Sequence, residues 1–540
     1  MAYEVSPMHH NTSPDWWRHA VIYHIYPKSF KDGNGDGLGD IPGVIMKLDY
    51  LANLGVDAIW LSPVYSSPMV DAGYDIADYK NIDKEYGTME DFRRLMSEAH
   101  KRGIRIIMDL VLNHTSDQHT WFLESKSSAD NPKRNWYIWQ PPKNGKVPNN
   151  WKTNFGKKAW HYDAATKEYY YHSFFWEQPD LNWRNPEVKE AMFEVIRYWL
   201  DMGVDGFRLD VINLLFKDKE FRDNKIRILR KSEIHNRNQP EMYDLLRDFR
   251  KLLDSYSHKT SVGEIYTPPP GNPALAASFL GNGSDMLHLV FDFSLVFSFW
   301  KASSYYRIIN RFYKKIPAMG WPCFFLSNHD IGRSLNRLGW TFYKYEKAKL
   351  HAILLLTLKG TPFIYYGDEI GMENVSIPKK QIKDLYGKML YPFFKGRDHS
   401  RTPMQWDSSK NAGFSEQTPW LPISESYPAI NVETEEKDEN SVLSIYKKLL
   451  ALRKGNFVLQ NGDIYFINKG KNNILIYSRR IDMEEIIIVL NFNNKKKPAN
   501  MGHIGDTSKI IFSTHQGTKM DKGKIMLQPF EGVVVRKGWW

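Results

Sequence analysis

Cysteine is almost absent from this chain: Cys323 is the single one among 540 residues. An intramolecular disulfide framework is therefore excluded, and stability has to come from a packed core or from bound groups. Long hydrophobic runs are missing as well. The most apolar stretch, HAILLLTL from 351, falls far short of the roughly 20 apolar residues a bilayer-spanning helix needs. The start, MAYEVSPMHHNTSPDWW, has neither the basic opening nor the apolar segment of a secretory leader. These absences predict a cytoplasmic protein with no membrane partner.

Positive charge is in excess, 73 Lys and Arg against 62 Asp and Glu, for a net charge of +11. Such a balance can signal an anionic partner. The lysines of NKKKP and IPKKQIK fall in loop-like stretches, however, and no helical segment carries a sustained basic stripe interleaved with exposed aromatics. The excess reads as solvated surface, and nucleic acid is not an expected partner. With 42% hydrophobic and 25% charged residues, the composition is that of an ordinary globular protein.

Apolar, β-branched runs recur along the chain, each closing on polar residues: VIYHIYP from 21, AIWLSPV from 58, GIRIIMDLVLNH from 104, GVDGFRLD from 203, TSVGEI from 260, MLHLVFDF from 286, CFFLSNHD from 323 and TPFIYYGDE from 361. Between them lie helical patterns such as MEDFRRLMSEAHKRG and YDLLRDFRKLLDSY, with apolar residues three and four apart. Alternating strands and helices imply parallel pairing, and eight such units imply an α/β fold of the (β/α)8 barrel type. The third connection, 115–184, is too long for a loop and rich in Trp, Tyr, Pro and Asn, which predicts an inserted subdomain. Beyond about 455, runs such as ILIYSRR and EIIIVLNFN without long helices predict an antiparallel β-sandwich domain at 455–540, leaving 1–114 and 185–454 as the two parts of the barrel.

The strand ends carry the chemistry. Asp109, Asp210, Glu264 and Asp330 close the third, fourth, fifth and seventh predicted strands, on the side where barrel enzymes place their sites. Converging carboxylates without a transition-metal ligand set suit glycosyl transfer, in which one must be ionised to attack the anomeric carbon and the other protonated to serve the leaving oxygen. Arg208 and Asp210, two apart in GFRLDVIN, share one face of a strand. The spacing predicts that Arg208 holds the Asp210 carboxyl down, while Glu264, after Val262 and Gly263 and facing other carboxylates, is raised.

DLVLNH (109–114), GFRLDVIN (206–213), GE (263–264) and SNHD (327–330) resemble, in order, the four signature regions of the α-amylase superfamily of glycoside hydrolases. QPDLN (178–182) and GRDHSRTPMQWD (396–407) are similar to its oligo-1,6-glucosidase and α-glucosidase subfamily. The resemblance implies Asp210 as nucleophile, Glu264 as general acid/base and Asp330 as the third carboxylate, with His114, Arg208 and His329 around the sugar. It also implies that Asp71, Tyr74 and Arg397 close the far end of the pocket, so that only a chain end enters. Val211, directly after the nucleophile, goes in that subfamily with α-1,6 cleavage. The expected activity is an exo-acting retaining α-glucosidase acting on short oligosaccharides, with an α-1,4-preferring maltase or a trehalose-6-phosphate hydrolase as the alternatives. A noncatalytic relative is disfavoured because all three carboxylates are present, and sucrose isomerisation because an RLDRD stretch is missing before the eighth helix.

DGNGDGLGD (32–40) is a separate constellation. Asp32, Asn34, Asp36 and Asp40, with the backbone oxygen of Leu38, offer hard oxygens at alternate positions, although Gly43 stands where a calcium hand would place its bidentate glutamate. The resemblance to the oligo-1,6-glucosidase and α-glucosidase subfamily implies a structural Ca2+ or Mg2+ here, and no organic cofactor and a monomer are expected.

Overall fold

The computed structural model describes residues 13–227, 230–231, 235–267, 270–337, 343–502 and 507–538. Residues 1–12, part of the stretch read for a secretory leader, lie outside them. All eight expected barrel strands form: β1 (Ile22–Ile25), β2 (Ala58–Leu61), β3 (Arg105–Leu110), β4 (Gly206–Leu209), β5 (Thr260–Glu264), β6 (Leu289–Phe291), β7 (Cys323–Phe325) and β8 (Thr361–Tyr365). They pair in parallel in the order β6-β5-β4-β3-β2-β1-β8-β7. The two ends of that order meet where the Cys323 thiol donates to the Val290 carbonyl at 3.1 Å and the rings of Phe291 and Phe325 pack at 4.8 Å. Strands buried on both faces read as continuous apolar runs, which is why the sequence gives them away. Only glycine lets β4 start so near β5, since a Cβ on Gly206 would lie 2.4 Å from the Thr260 carbonyl oxygen.

The helices that return the chain are fixed at their starts. Thr88 and Asp91 form a reciprocal capping box ahead of Met89–Lys101, and Asn185 accepts from the Glu187 amide ahead of Pro186–Asp201, with proline in the first turn. Among the described residues no helix is long and apolar enough to cross a membrane.

The third connection folds as an insertion around a small antiparallel sheet of Trp139–Gln140, Glu168–Tyr171 and Trp160–Asp163. It returns to the barrel through a bridge between His114 and Asp180. At the other end of the chain, Asp463–Phe466, Ile474–Ile481, Glu484–Asn491, Gly532–Arg536 and Lys509–Ser513 form an antiparallel sheet, faced by a second one of three strands. A buried guanidinium stitches this region to the barrel, Arg479 donating to the Thr357 carbonyl, and Arg453, at the end of the helix before it, donates to the carbonyls of Leu356 and Gly360.

Candidate active site

Arg208 organises the site. It lies on β4 in register with Asp109 on β3, fully buried. Its Nη1 donates to both Asp109 oxygens, at 2.7 and 3.0 Å, and to Asp210 Oδ1 at 2.8 Å, while Nη2 bonds Glu264 Oε2. Three strands thus deliver three carboxylates to one cation at the C-terminal end of the barrel. Trp60 lies 5.1 Å from the guanidinium and donates its indole N–H to Asp109.

Asp330 belongs to a second group. It sits five residues beyond the end of β7, in a loop, rather than closing the strand as the sequence suggested. Oδ1 accepts from Arg397 at 3.2 Å and Arg401 at 3.0 Å, and His329 Nε2 lies 3.2 Å from Oδ2. Tyr74 connects the two groups: its hydroxyl lies 2.9 Å from Asp109 Oδ2 and 2.8 Å from His329 Nε2, and its ring stacks on His329.

The end of the pocket is an ion pair. Arg397 Nη2 meets Asp71 Oδ1 at 2.6 Å and Asp384 Oδ1 at 2.9 Å, and its backbone N–H also donates to Asp384. Gln178 of QPDLN donates to Asp71 Oδ2, and His114 Nε2 lies 3.1 Å from the Tyr74 carbonyl. The expected residues Asp71, Tyr74, His114, Arg208, Asp210, Glu264, His329, Asp330 and Arg397 therefore converge. Val211, buried directly after Asp210, has φ 35° and ψ 44°, a left-handed conformation costly for a β-branched residue, and its amide is bonded to Glu264.

The electrostatics correct one expectation. Arg208 does pull the Asp210 carboxyl down, but burial pushes harder the other way, joined by Glu264, Asp109 and Asp330, so the group ends well above the usual carboxylate range. Glu264 is raised too, by burial and then by Asp330 and Asp109 against the pull of Arg208. One guanidinium faces three buried carboxylates, so burial and mutual repulsion oppose their full ionisation. Asp330 differs: burial pushes it up, yet its cationic neighbours hold it well below the ordinary range. Burial drives His329 down to about 3, which makes it a neutral imidazole, so Arg397 and Arg401 supply that effect.

The loop 32–40 is closed by its own backbone. Asp32 accepts from the amides of Asn34, Gly35 and Gly37 and from the Ser415 hydroxyl, Asp36 from that of Leu38, and Asp40 Oδ1 from those of Gly33 and Gly43. Asp40 Oδ2 is buried without a partner. Burial raises the Asp40 carboxyl to about 6, with Asp32 and Asp36 adding to it. The donors are those a hard cation takes, but in this conformation they form a turn: among the described residues no three His, Cys, Asp or Glu side chains are grouped to hold a metal ion.

The alpha amylase catalytic domain matches residues 24–462. The chain belongs to the alpha-amylase family. It is a glycoside hydrolase of that family. It is 41% identical to an oligo-1,6-glucosidase of Parageobacillus thermoglucosidasius, over 96% of this chain and 99% of that protein, and 37% identical to a trehalose-6-phosphate hydrolase of Bacillus subtilis (strain 168), over 96% and 98%. The crystal structure of an alpha-glucosyl transfer enzyme, XgtA, superposes with a TM-score of 0.91 at 38% identity, covering 97% of this chain and 99% of that one.

Sequence reasoning passed over several members of the site. Asp384 stands in IKDLYG with no motif around it, yet it makes more bonds to Arg397 than any other carboxylate. Arg401 and Gln178 lie inside quoted motifs without having been singled out. Asp109 was noticed at its strand end and not carried into the site. Its registration opposite Arg208 was the available signal.

Proposed function

We propose that the protein is an exo-acting, retaining α-glucosidase that releases glucose from the non-reducing ends of short α-glucosides, with α-1,6 linkages preferred. The observation that carries the reading is the shared guanidinium: Asp210 and Glu264 bond adjacent nitrogens of Arg208, which favours the closer carboxylate spacing of retaining enzymes, about 5 to 5.5 Å. In the first step an Asp210 oxygen attacks C1, the C1–O bond breaks, and Glu264 gives its proton to the departing oxygen. In the second, Glu264 takes a proton from water, whose oxygen attacks C1 and releases Asp210. The raised Glu264 carboxyl suits that role, since burial favours the protonated form the first step spends. Asp330, held ionised by Arg397 and Arg401, grips the hydroxyls of the sugar being cleaved. The Asp71–Arg397 pair closes the pocket behind that sugar, so a chain enters by its end.

Linkage rests on Val211 and on the similarity to an oligo-1,6-glucosidase. A branched apolar side chain beside the leaving group crowds an α-1,4-linked sugar more than an α-1,6-linked one, whose extra methylene swings it clear. The similarity to a trehalose-6-phosphate hydrolase keeps a phosphorylated disaccharide as the second reading. Isomaltose, maltose, sucrose, trehalose and trehalose 6-phosphate, each assayed for glucose release, separate the two. Release from trehalose 6-phosphate alone would overturn the first.

We also propose that Asp32, Asn34, Asp36, the Leu38 carbonyl and Asp40 hold Ca2+ or Mg2+ after a small rearrangement of their turn. The unpartnered Asp40 oxygen supports this, and such an ion would stiffen the loop.

A further inference from the structure

A half-exposed aromatic stack crosses from the inserted subdomain to the barrel beside the closed end of the pocket. Phe155, from the insertion, and Tyr386, from the segment after β8, pack with ring centroids 4.3 Å apart at 31°. Each ring is tied to one half of the Asp71–Arg397 pair. On one side Phe155 packs on Phe175 at 4.6 Å, the Phe175 amide donates to Gln178, and Gln178 donates to Asp71. On the other, Tyr386 lies two residues past Asp384, and its amide donates to the carboxylate that holds Arg397.

Behind the ion pair the molecule is not solid. A cavity of about 290 Å³ lies there, lined by Asp71 and Arg397 themselves and by Val70, Leu385 and Trp420. That is room enough for a further sugar ring, and of the four cationic side chains around it Lys28, Arg397 and Arg401 are already paired with carboxylates, while Lys383 stands beside them. Space and chemistry for a neutral sugar beyond the terminal one are therefore present, and a wall separates them from the reacting centre.

We propose that the Phe155–Tyr386 stack is a specificity-determining element that clamps the Asp71–Arg397 wall shut and so denies longer chains the space behind it. The idea rests on the exo-glucosidase reading above. It assigns exo action to two aromatic rings outside the charged residues that face the sugar. Ring-on-ring contact suits this task, because it needs no hydroxyl partner from the substrate and resists being prised open by one.

The test uses p-nitrophenyl α-maltoside and α-isomaltoside whose terminal 4- and 6-hydroxyls are sealed as an acetal. Direct release of p-nitrophenol from these requires a sugar beyond the one being cleaved. The starting protein should leave both intact while hydrolysing isomaltose. Phe155→Ala and Tyr386→Ala should each gain release by about tenfold or more, the scale of one side chain's discrimination, and Tyr386→Phe should behave as the starting protein. Alanine variants that hydrolyse isomaltose normally and still spare the sealed substrates would overturn the proposal. So would variants that melt normally yet lose isomaltose hydrolysis, since the rings would then serve the terminal sugar itself. Two independent positions keep the test decisive if one variant fails to fold. A starting protein that already cleaves the sealed substrates would instead refute the exo reading.

Discussion

Lys217 Nζ and Asp180 Oδ2 stand 2.5 Å apart with both side chains essentially inaccessible to solvent. Lys217 follows the β4 strand that carries Arg208. Asp180 belongs to the inserted subdomain, where it also accepts from the Ser173 amide and hydroxyl and from Asn113. One buried pair thus docks the insertion onto the barrel beside the site. Removing one partner strands the other charge away from water, at a cost of about 3 to 5 kcal/mol. Lys217→Met should lower unfolding free energy by that amount in a urea titration, and adding Asp180→Asn should restore part of it.

The carboxylates around Arg208 predict opposite effects on activity and stability. Asp210→Asn removes the nucleophile and should cut kcat by a factor of the order found elsewhere for such losses, about 10⁶. Glu264→Gln should cut it by about 10² to 10⁴ for leaving groups that need a proton. Because burial opposes both charges, neither variant should melt below the starting protein. A melting temperature several degrees lower would show that the ion pairs serve structure first.

Linkage preference is predicted to be partial. Val211→Thr keeps the shape and the β-branching, so the left-handed backbone strain is nearly the same in both forms. The ratio of kcat/KM for isomaltose over maltose should favour isomaltose in the starting protein and fall in the variant by an amount within about 1 to 3 kcal/mol. An unchanged ratio would assign linkage to the leaving-group loops.

Chelation addresses the 32–40 loop. An ion held only by the folded chain stabilises it by about 2.7 kcal/mol at a hundred times its dissociation constant. Treatment with EDTA should therefore lower the melting temperature, and calcium or magnesium should restore it, at matched ionic strength. The Asp40→Ala variant should melt low and ignore both.

Two buried carboxyls give stability a component that declines from mildly acidic to mildly alkaline pH. Glu369, accepting from the Tyr23 and Tyr50 hydroxyls, is raised by burial to about 7, and Glu435 to about 8. A raised folded-state value means that the folded chain holds a proton the unfolded one has lost. The stabilisation is fully present below the unfolded value, near 4.5, and disappears as pH climbs through 7 and 8. Each group accounts for a few kcal/mol, on the order of 3. Glu369→Gln should gain in melting temperature relative to the starting protein as pH rises from 5 to 8.5, and an unaltered difference would contradict the assignment.

The architecture was legible because its signals are local. Each of the eight strands is a short apolar run, and Asp109, Asp210 and Glu264 lie on or directly beyond strands whose register the barrel dictates. The rest depends on distance. Nothing near Asp384 in the chain reveals that it will hold Arg397, and Asp330 reaches the site only because two arginines from another segment draw its loop inward. The direction of the Asp210 shift was hidden for the same reason: its neighbour two residues away is visible in sequence, whereas burial and the carboxylates of β3 and β5 appear only once the strands are side by side.

The thiol of Cys323, closing β7 against β6, is raised by burial far above an ordinary cysteine. It is inert to alkylating reagents for as long as the seam stays closed. Because the chain has no other sulfhydryl, a thiol reagent counts openings of the barrel seam one molecule at a time, with no label to attach and no background to subtract. A reagent that outpaces reclosing reads the rate at which the seam opens, and a slower one reads the free energy of opening.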